Sequence, residues 1–257
     1  MKRNILLAFE FAKRDFRERY VGTGLGKLWF VLSPLIMIFI YSVIFSDFMK
    51  MKLNIVDNSY AYSIYLIPGL LAWTSFSTII MRLNVSFFEK APLIKKVSVP
   101  AYAFQLAIVV TELFTFGISM LLGLGFLWLV DQPITGVFLW LIPLMLLQTV
   151  FAFGLGVIFA LFAPFFKDLR EVVPIVLQLW FWMTPIIYVK ALIENKYPFL
   201  LTYNPFYYFV ESYQDIFLYA SPPTLFHLLV MLSLAVISIG LAGYLYQKMV
   251  PAIKDMI

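Results

Sequence analysis

Cysteine is absent from the 257-residue chain, and charged residues make up only 13% of it. Without cysteine, the chain can form no disulfide framework, thiolate metal site or catalytic thiol. A soluble domain carries about 25% charged residues, so this sequence has too few polar side chains to cover a globule of its size in water. A single histidine, His227, is too few for a multi-histidine metal cluster. These shortages exclude a soluble globular domain, a thiol enzyme and a metal site built from several histidines.

Long apolar runs take up most of the chain, and 63% of its residues are hydrophobic. Each run reaches the length of about 18–20 residues that a helix needs to cross the hydrocarbon of a bilayer. The runs are Leu28–Ser46, Tyr60–Met81, Ala101–Val130, Val137–Ala163, Val172–Val189 and Thr224–Gln247. They predict an all-α polytopic membrane protein with six transmembrane helices. Residues 1–257 then form one transmembrane domain, with the bundle over 28–247 and a cytoplasmic tail over 248–257.

The first residues have the pattern of an amphipathic helix. Apolar residues recur at helical spacing on one side, at Ile5, Phe9, Ala12, Phe16 and Tyr20, and basic residues occupy much of the rest. This pattern predicts a helix over residues 2–20 that lies in the headgroup plane of the cytoplasmic leaflet; the alternative is a plain basic flank. Because charges recur from residue 2 to residue 27, the segment does not have the form of a cleaved signal peptide.

The glycine-rich stretch Gly22–Lys27 invites comparison with a phosphate-binding loop. Such a loop has a glycine five positions before its second glycine and a Ser or Thr after its lysine. Val21 and Leu28 occupy those two positions here. The glycines instead predict a sharp turn from the surface helix into the first span, and the chain carries no nucleotide-binding signature of its own.

Lysine and arginine are distributed unequally between the two predicted sides of the membrane. With the N-terminus in the cytoplasm, the inside segments hold fifteen of these residues and the outside loops hold four. Cytoplasmic loops carry an excess of Lys and Arg in membrane proteins, so both termini are predicted to be cytoplasmic. The same bias accounts for the net charge of +5 without a nucleic-acid partner.

The inside loop Arg82–Pro100 is long for a connector and mixes apolar with charged residues. A short amphipathic helix over Asn84–Lys90 would expose a mixed apolar and charged surface that a peripheral partner could grip; the alternative is a solvated, positively charged loop. The residues concerned are Asn84, Phe87, Phe88, Glu89, Lys90, Pro92, Leu93, Lys95 and Lys96.

Aromatic residues concentrate near the opposite side of the membrane. The set comprises Trp180, Trp182, Tyr188, Tyr203, Tyr207 and Tyr208. One interpretation is an ordinary interfacial belt. The other is a lining whose ring faces pack against sugar rings, with weak contacts that let a polymer slide. The apolar pieces within 190–223 are too short to span, which predicts re-entrant or interfacial helices there.

Glu112 is the only acidic residue deep within a predicted span. An ionisable group at that depth is a functional hypothesis by default. One carboxylate alone makes a poor proton relay, so the favoured interpretation is hydrogen bonding within the bundle to Gln105, Gln148 or Gln178. A membrane-embedded transferase would need a carboxylate pair or a histidine at membrane depth, and neither is evident.

Three blocks of residues resemble the signatures of ABC-type polysaccharide exporter permeases, which serve capsular-polysaccharide and O-antigen export. The first block comprises Arg14, Asp15, Tyr20, Gly26, Leu28, Trp29, Pro34 and Leu35. The second comprises Phe166–Glu171, followed by Trp182, Thr184, Pro185, Ile186 and Tyr188. The third is Tyr203-Asn204-Pro205, and together the blocks cover essentially the whole chain.

This resemblance implies a permease in the bacterial inner membrane that moves a lipid-linked polysaccharide outward. It would form a homodimer and pair with two copies of a separate ATPase, which would hold ATP and Mg²⁺; the permease would bind no cofactor and would not be an enzyme. The loop Asn84–Lys96 would hold the coupling helix, and Pro198–Tyr219 would form periplasmic re-entrant helices. A cytoplasmic hinge before the fifth span would comprise Lys167, Asp168, Arg170 and Glu171.

Two other transport functions remain as alternatives. One is export of a drug or lipid by an ABC permease of the same class. The other is proton-coupled secondary transport that uses Glu112, although such transporters usually have internal repeats.

Overall fold

The computed structural model of the chain describes residues 2–19, 21–44, 60–89 and 101–256. The regular structure within these ranges is helical. The α-helices, numbered in chain order, are α1 Lys2–Glu18, α2 Trp29–Ser42, α3 Ala61–Asn84, α4 Ala101–Leu129, α5 Leu141–Phe162, α6 Leu169–Met183, α7 Ala191–Glu194, α8 Phe199–Thr202, α9 Tyr207–Tyr219 and α10 Leu225–Met256. Short 3₁₀ turns at Gly26–Leu28 and Gly136–Trp140 lead into α2 and α5.

Four helical segments are long and apolar enough to cross a membrane: Ala61–Asn84, Ala101–Leu129, Gly136–Phe162 and Leu225–Ile253. They confirm the prediction of an all-α polytopic membrane protein. The other two predicted spans are shorter within the described residues. The apolar helix Gly26–Ser42 has 17 residues, and α6 has 15. The total of six spans therefore stays a prediction.

The fifth predicted span, Val172–Val189, is wrong in its second half. Its helix α6 begins earlier, at Leu169, and ends at Met183. Thr184 is extended, with φ −102° and ψ 131°, because Pro185 disfavours the helical conformation of the residue before it. The chain then continues through the irregular segment 184–189 before α7.

Helix α3 is the central helix of the described bundle, although it is the least apolar of the four long helices. Its mean hydropathy over the spanning window is 1.6, and 78% of that window is buried. The corresponding figures for α10 are 2.4 and 22%. In a bilayer the solvent is itself apolar, so high hydropathy marks contact with lipid rather than contact with the core.

The two ends of the bundle are defined here by α3. The inner end is where α3 ends and α4 begins, and the positive-inside bias predicts that it faces the cytoplasm. The outer end is where α3 begins and α6 ends. At the inner end α1 lies against α4 and α2, with ring centroids 4.4 Å apart for Phe11 and Phe104 and 4.0 Å apart for Phe16 and Phe30. At the outer end the short helices α7 to α9 return the chain to the start of α10, and Ala220 ends α9 in the left-handed conformation.

Two glycines of α5 allow neighbouring helices to approach closely. A Cβ atom at Gly154 would lie 2.6 Å from the backbone carbon of Ser238 in α10. A Cβ atom at Gly156 would lie 2.9 Å from the Cβ of Leu83 in α3. Small residues at such contacts let helix backbones pack tightly, which is a main source of helix association in membranes.

We predict that Gly154→Ala lowers the free energy of unfolding by about 1–3 kcal/mol, the usual cost of overpacking a tight interior. The obstacle is the backbone of α10, which cannot rotate away as a side chain can. The measurement is the melting temperature of the purified protein in detergent. Gly243→Ala is the matched control, because a Cβ there meets no atom within 4 Å. Equal melting temperatures for the two variants would contradict the tight α5–α10 contact.

Candidate coupling and transport sites

A network of ion pairs joins α1, α3 and α4 near the inner end. Arg82 donates from Nη1 to Oε1 of Glu112 at 2.6 Å and from Nη2 to both carboxylate oxygens of Asp15 at 2.7 and 2.8 Å. Arg19 donates from Nη1 to the same Oε1 of Glu112 at 2.8 Å. The side chain of Glu112 is only 3% exposed. Two arginines and two acids thus balance in charge where the three helices meet.

The predicted glutamine partners of Glu112 are wrong. Gln105 donates weakly to the hydroxyl of Ser86 at 3.5 Å, Gln148 donates to the backbone oxygen of Ala72, and Gln178 is exposed. The sequence analysis counted Arg19 and Arg82 as charges of the cytoplasmic flanks. Their long side chains instead reach along the helix surfaces to the buried carboxylate, as such side chains commonly do near helix ends.

The predicted coupling loop and the predicted hinge meet at the inner end. Asn84, the last residue of α3, donates from its side chain to the backbone oxygen of Leu169 at 2.9 Å, at the start of α6. The guanidinium carbon of Arg170 lies 4.4 Å from the centroid of the Phe88 ring, a cation–π distance. The turn after α3 and the beginning of α6 are therefore in direct contact.

The turn itself is helical over residues 86–89. Phe87 is buried in a small apolar cluster with residues of α5 and α10, including Val157 and Ala242, whereas Glu89 is exposed. The turn is therefore anchored by one phenylalanine and offers an acidic residue to the surface. The predicted coupling residues Lys90, Pro92, Leu93, Lys95 and Lys96 lie outside the described residues.

The four hinge residues are all exposed; they are Lys167, Asp168, Arg170 and Glu171. The backbone oxygen of Asp168 accepts the first hydrogen bonds of α6, from Glu171 and Val172. Arg170 contacts the turn after α3, as described above. The hinge thus forms the N-terminal boundary of α6 and leaves its four charged side chains exposed.

The predicted aromatic lining divides into two groups. Tyr207 and Tyr208 are each only 9% exposed, and Trp180 packs among Trp73, Phe76 and Phe206. Tyr207 and Tyr208 are enclosed within the protomer, so the prediction that they offer faces to a polymer is corrected, whereas Trp180 is half-buried and its place in a lining stays a prediction. The two tyrosines are enclosed because α9 folds against α3 instead of standing at its edge.

The remaining predicted rings are more accessible. Trp182 is 55% exposed and Tyr203 is 82% exposed, while Tyr188 is half-buried and its hydroxyl donates to the backbone oxygen of Trp182 at 3.0 Å. Trp182 and Tyr203 are therefore the two rings of the set whose faces stay open in the protomer.

Asn204 joins two of the sequence blocks. Its side-chain oxygen accepts from Nε1 of Trp180 at 2.8 Å and from the backbone N–H of Phe206 at 3.1 Å. Its amide donates to the hydroxyl of Thr184 at 2.9 Å and to the backbone oxygen of Met183 at 3.2 Å. One side chain thus satisfies the backbone and side-chain groups left open where α6 ends, and this gives the Tyr203-Asn204-Pro205 block a structural reason.

Tyrosines of α3 hold the same irregular segment from the other side. The hydroxyl of Tyr62 donates to the backbone oxygen of Ile187, and the hydroxyl of Tyr65 lies 3.2 Å from the oxygen of Pro185 and 3.1 Å from that of Tyr188. These carbonyl groups lie beyond the end of α6 and have no hydrogen-bond partner within a helix. They need other partners because an unpaired carbonyl at this depth is costly. Sequence reasoning missed Tyr62 and Tyr65 because nothing in α3 marks them as contacts of a distant segment.

Sequence reasoning also missed an ion pair at the outer end. Lys190 pairs with the carboxylate of Glu211, and Nε2 of His227 lies 3.4 Å from the other oxygen of that carboxylate. Burial opposes the charged form of Lys190, but the hydrogen bond to Glu211 and the nearby carboxylates of Asp215 and Glu194 outweigh it and raise the pKa of Lys190. The contact ties the segment after α6 to α9 and to the first turn of α10.

We predict that Arg82→Ala lowers the free energy of unfolding by about 3 kcal/mol or more, since it leaves two carboxylates, one of them deeply buried, without their shared partner. The measurement is the melting temperature in detergent. Arg17→Ala is the control, because Arg17 is an exposed arginine of α1. An R82A protein that melts at the same temperature as R17A would contradict the structural role of the network.

A second prediction concerns the end of α6. Asn204→Ala removes four hydrogen bonds and should loosen the segment that follows α6, so that trypsin cuts faster after Lys190 and Lys196. The measurement is the rate of limited proteolysis, followed by mass of the fragments. Asn195→Ala, in the exposed turn between those lysines, is the control. Unchanged cleavage in N204A would show that other contacts suffice to hold the segment.

The chain is similar to known proteins of one family. The family model for ABC-2 type transporters matches residues 8–218. The O-antigen export system permease protein RfbA of Klebsiella pneumoniae is 31% identical over 223 residues, covering 85% of this chain and 84% of the relative. The protein of the same name from Myxococcus xanthus is 29% identical and covers 94% of this chain and 92% of the relative. The polysialic acid transport protein KpsM of Escherichia coli is 25% identical and covers 90% and 89%. Because this family model covers most of the chain and the fold is helical with membrane-spanning helices, the chain belongs to the ABC-2 type transporter family.

Proposed function

We propose that the chain is the transmembrane permease subunit of an ATP-driven exporter that carries a lipid-linked cell-surface polysaccharide across the bacterial inner membrane. The observation that carries this proposal is the similarity over most of the chain to relatives named for O-antigen export and for polysialic acid transport. These relatives serve two different polymers, so the shared element is a polysaccharide rather than one particular sugar.

The energy source in this proposal is a separate ATPase subunit. Two copies of the permease would pair with two ATPase subunits, and ATP with Mg²⁺ would bind there. In this proposal the seam between two permeases would lie along the outer faces of α2 and α6, which carry exposed apolar residues. Exposed examples are Leu35 and Phe39 in α2 and Ile175 and Leu179 in α6. The aromatic faces of Trp182 and Tyr203 would then lie near the exit of the channel.

Coupling would begin at the turn after α3. When the ATPase subunits close on ATP, they would push this turn, and Asn84 would pass the movement to the start of α6 through its bond to Leu169. Arg82, two residues earlier, would pass it to α1 and α4 through Asp15 and Glu112. Charge-assisted hydrogen bonds are the stronger ones in proteins, so α1 and α4 would move with α3 and not slip against it.

Transport by inverted membrane vesicles tests the function. Vesicles that contain the permease and its ATPase subunit should take up the lipid-linked polysaccharide when ATP is supplied. Uptake without nucleotide, or by vesicles that contain the permease without any ATPase subunit, would overturn the proposal.

The variant Glu89→Ala with Lys90→Ala tests the coupling surface in the same vesicles. We expect ATP-driven uptake to fall at least several-fold and the ATPase subunit to co-purify less with the permease, because the turn loses charged groups that would contact it. Glu194→Ala with Lys196→Ala is the matched control, since it removes one acid and one base from the outer end. Normal uptake and co-purification in the E89A/K90A variant would show that the docking surface lies elsewhere.

A further inference from the structure

A cavity of about 180 Å³ lies between α2, α3 and α4, within the described bundle. Its lining is unusual for a membrane protein because hydroxyl side chains predominate among its polar groups. These are Ser33, Thr74, Ser75, Thr78, Thr115 and Ser119. The Arg19–Glu112 ion pair and the ring of Trp29 also line it, and apolar side chains form the rest of the walls.

The mouth of this hydroxyl-lined cavity is open and its interior is buried. Ser33 of α2 and Thr74 of α3 are exposed, whereas Ser75 and Ser119 are 7% and 9% exposed. Lipid offers no hydrogen bonds to the hydroxyls at the mouth. Two hydroxyls from different helices at one opening therefore indicate a polar occupant that enters there.

The interior has hydrogen-bonding capacity that the protein does not use. The hydroxyl of Ser75 is buried without a hydrogen-bond partner. Thr115 and Ser119 donate to backbone oxygens one turn earlier in α4, which leaves the lone pairs of their own oxygens available. A buried hydroxyl without a partner is destabilising, and an occupant with several hydroxyl groups would supply the missing hydrogen bonds.

We propose that this cavity binds one sugar ring of the exported glycolipid. The inference rests on the proposed function and names a substrate subsite within it. Serine and threonine hydroxyls both donate and accept, as sugar hydroxyls do, and Glu112 and Arg19 add a charged acceptor and donor. Trp29 supplies an aromatic ring of the kind that packs against the C–H face of a sugar.

The size of the cavity fits a single ring. A cavity of about 150 Å³ holds one benzene molecule, so this one admits a six-membered ring, and its substituents can leave through the mouth between Ser33 and Thr74. A second ring would have to remain outside. The subsite therefore holds one unit of a longer molecule at a time.

Site-directed labelling tests the subsite directly, because the chain contains no cysteine and a single introduced thiol reports on its own position. The variants are Ser33→Cys at the mouth and Thr78→Cys inside. Each full-length protein is reconstituted in vesicles and treated with methanethiosulfonate ethylammonium. The probes are octyl β-D-glucoside, below its micellar concentration, and octyl tetraoxyethylene, which has the same alkyl chain without a sugar.

We expect the glucoside to slow labelling at both cysteines several-fold and the tetraoxyethylene to leave it unchanged. Thr202→Cys, exposed at the outer end, should be labelled at the same rate with either compound. Equal protection by both compounds would show a site for hydrocarbon, and protection by neither would show a cavity that holds only water. Either result overturns the proposal.

Removal of the hydroxyl groups gives a second readout. In the Ser33→Cys background, Thr115→Val should raise the glucoside concentration needed for protection at least several-fold. Thr149→Val is the matched control, because Thr149 makes the same hydrogen bond to the residue one turn earlier but lies in α5. Equal protection curves for these two variants would count against the subsite. The labelling needs no ATP, so a failure of ATP-driven uptake would affect the proposed function without altering this result.

Discussion

The ion-pair network around Arg82 is the interaction on which the inner half of the structure depends. Taking a carboxylate out of water costs several kcal/mol unless the charge is paired with good geometry. Glu112, 3% exposed, meets that condition through two guanidinium groups on one oxygen, and Arg82 is held at the same time by Asp15. A displacement of α4 would take Glu112 away from both of its arginines, and a displacement of α1 or α3 would remove one of them.

Helix α3 also contacts both boundaries of α6. At the inner end Asn84 binds the backbone oxygen of Leu169, where α6 begins. At the outer end Tyr62 and Tyr65 bind the carbonyl groups of the segment that follows α6. Between these points α3 is largely buried, with 78% of its spanning window inside the bundle. It therefore contacts both the start of α6 and the segment that follows α6.

The irregular segment after α6 illustrates how a membrane protein tolerates a broken helix. Pro185 ends α6 and leaves carbonyl groups unpaired. Asn204 from the following loop, tyrosines of α3 and Gln214 of α9 supply the missing hydrogen bonds. Trp180 and Tyr208, which the sequence pattern suggested as a lining, are half-buried and buried in this arrangement. Of the six predicted lining rings, Trp182 and Tyr203 are the exposed ones.

The sequence by itself determined the class of the protein, its long helices and the motifs that relate it to polysaccharide exporters. Hydrophobic length and the scarcity of charge suffice for these, because a bilayer imposes them on any helix that crosses it. Only the tertiary structure decided that the least apolar long helix, α3, is central, since hydropathy measures affinity for lipid and not for other helices. It also decided that Arg19 and Arg82 neutralise Glu112. Long side chains from separate helices converge there, and spacing along the chain carries no record of a contact made across 30 or 93 residues.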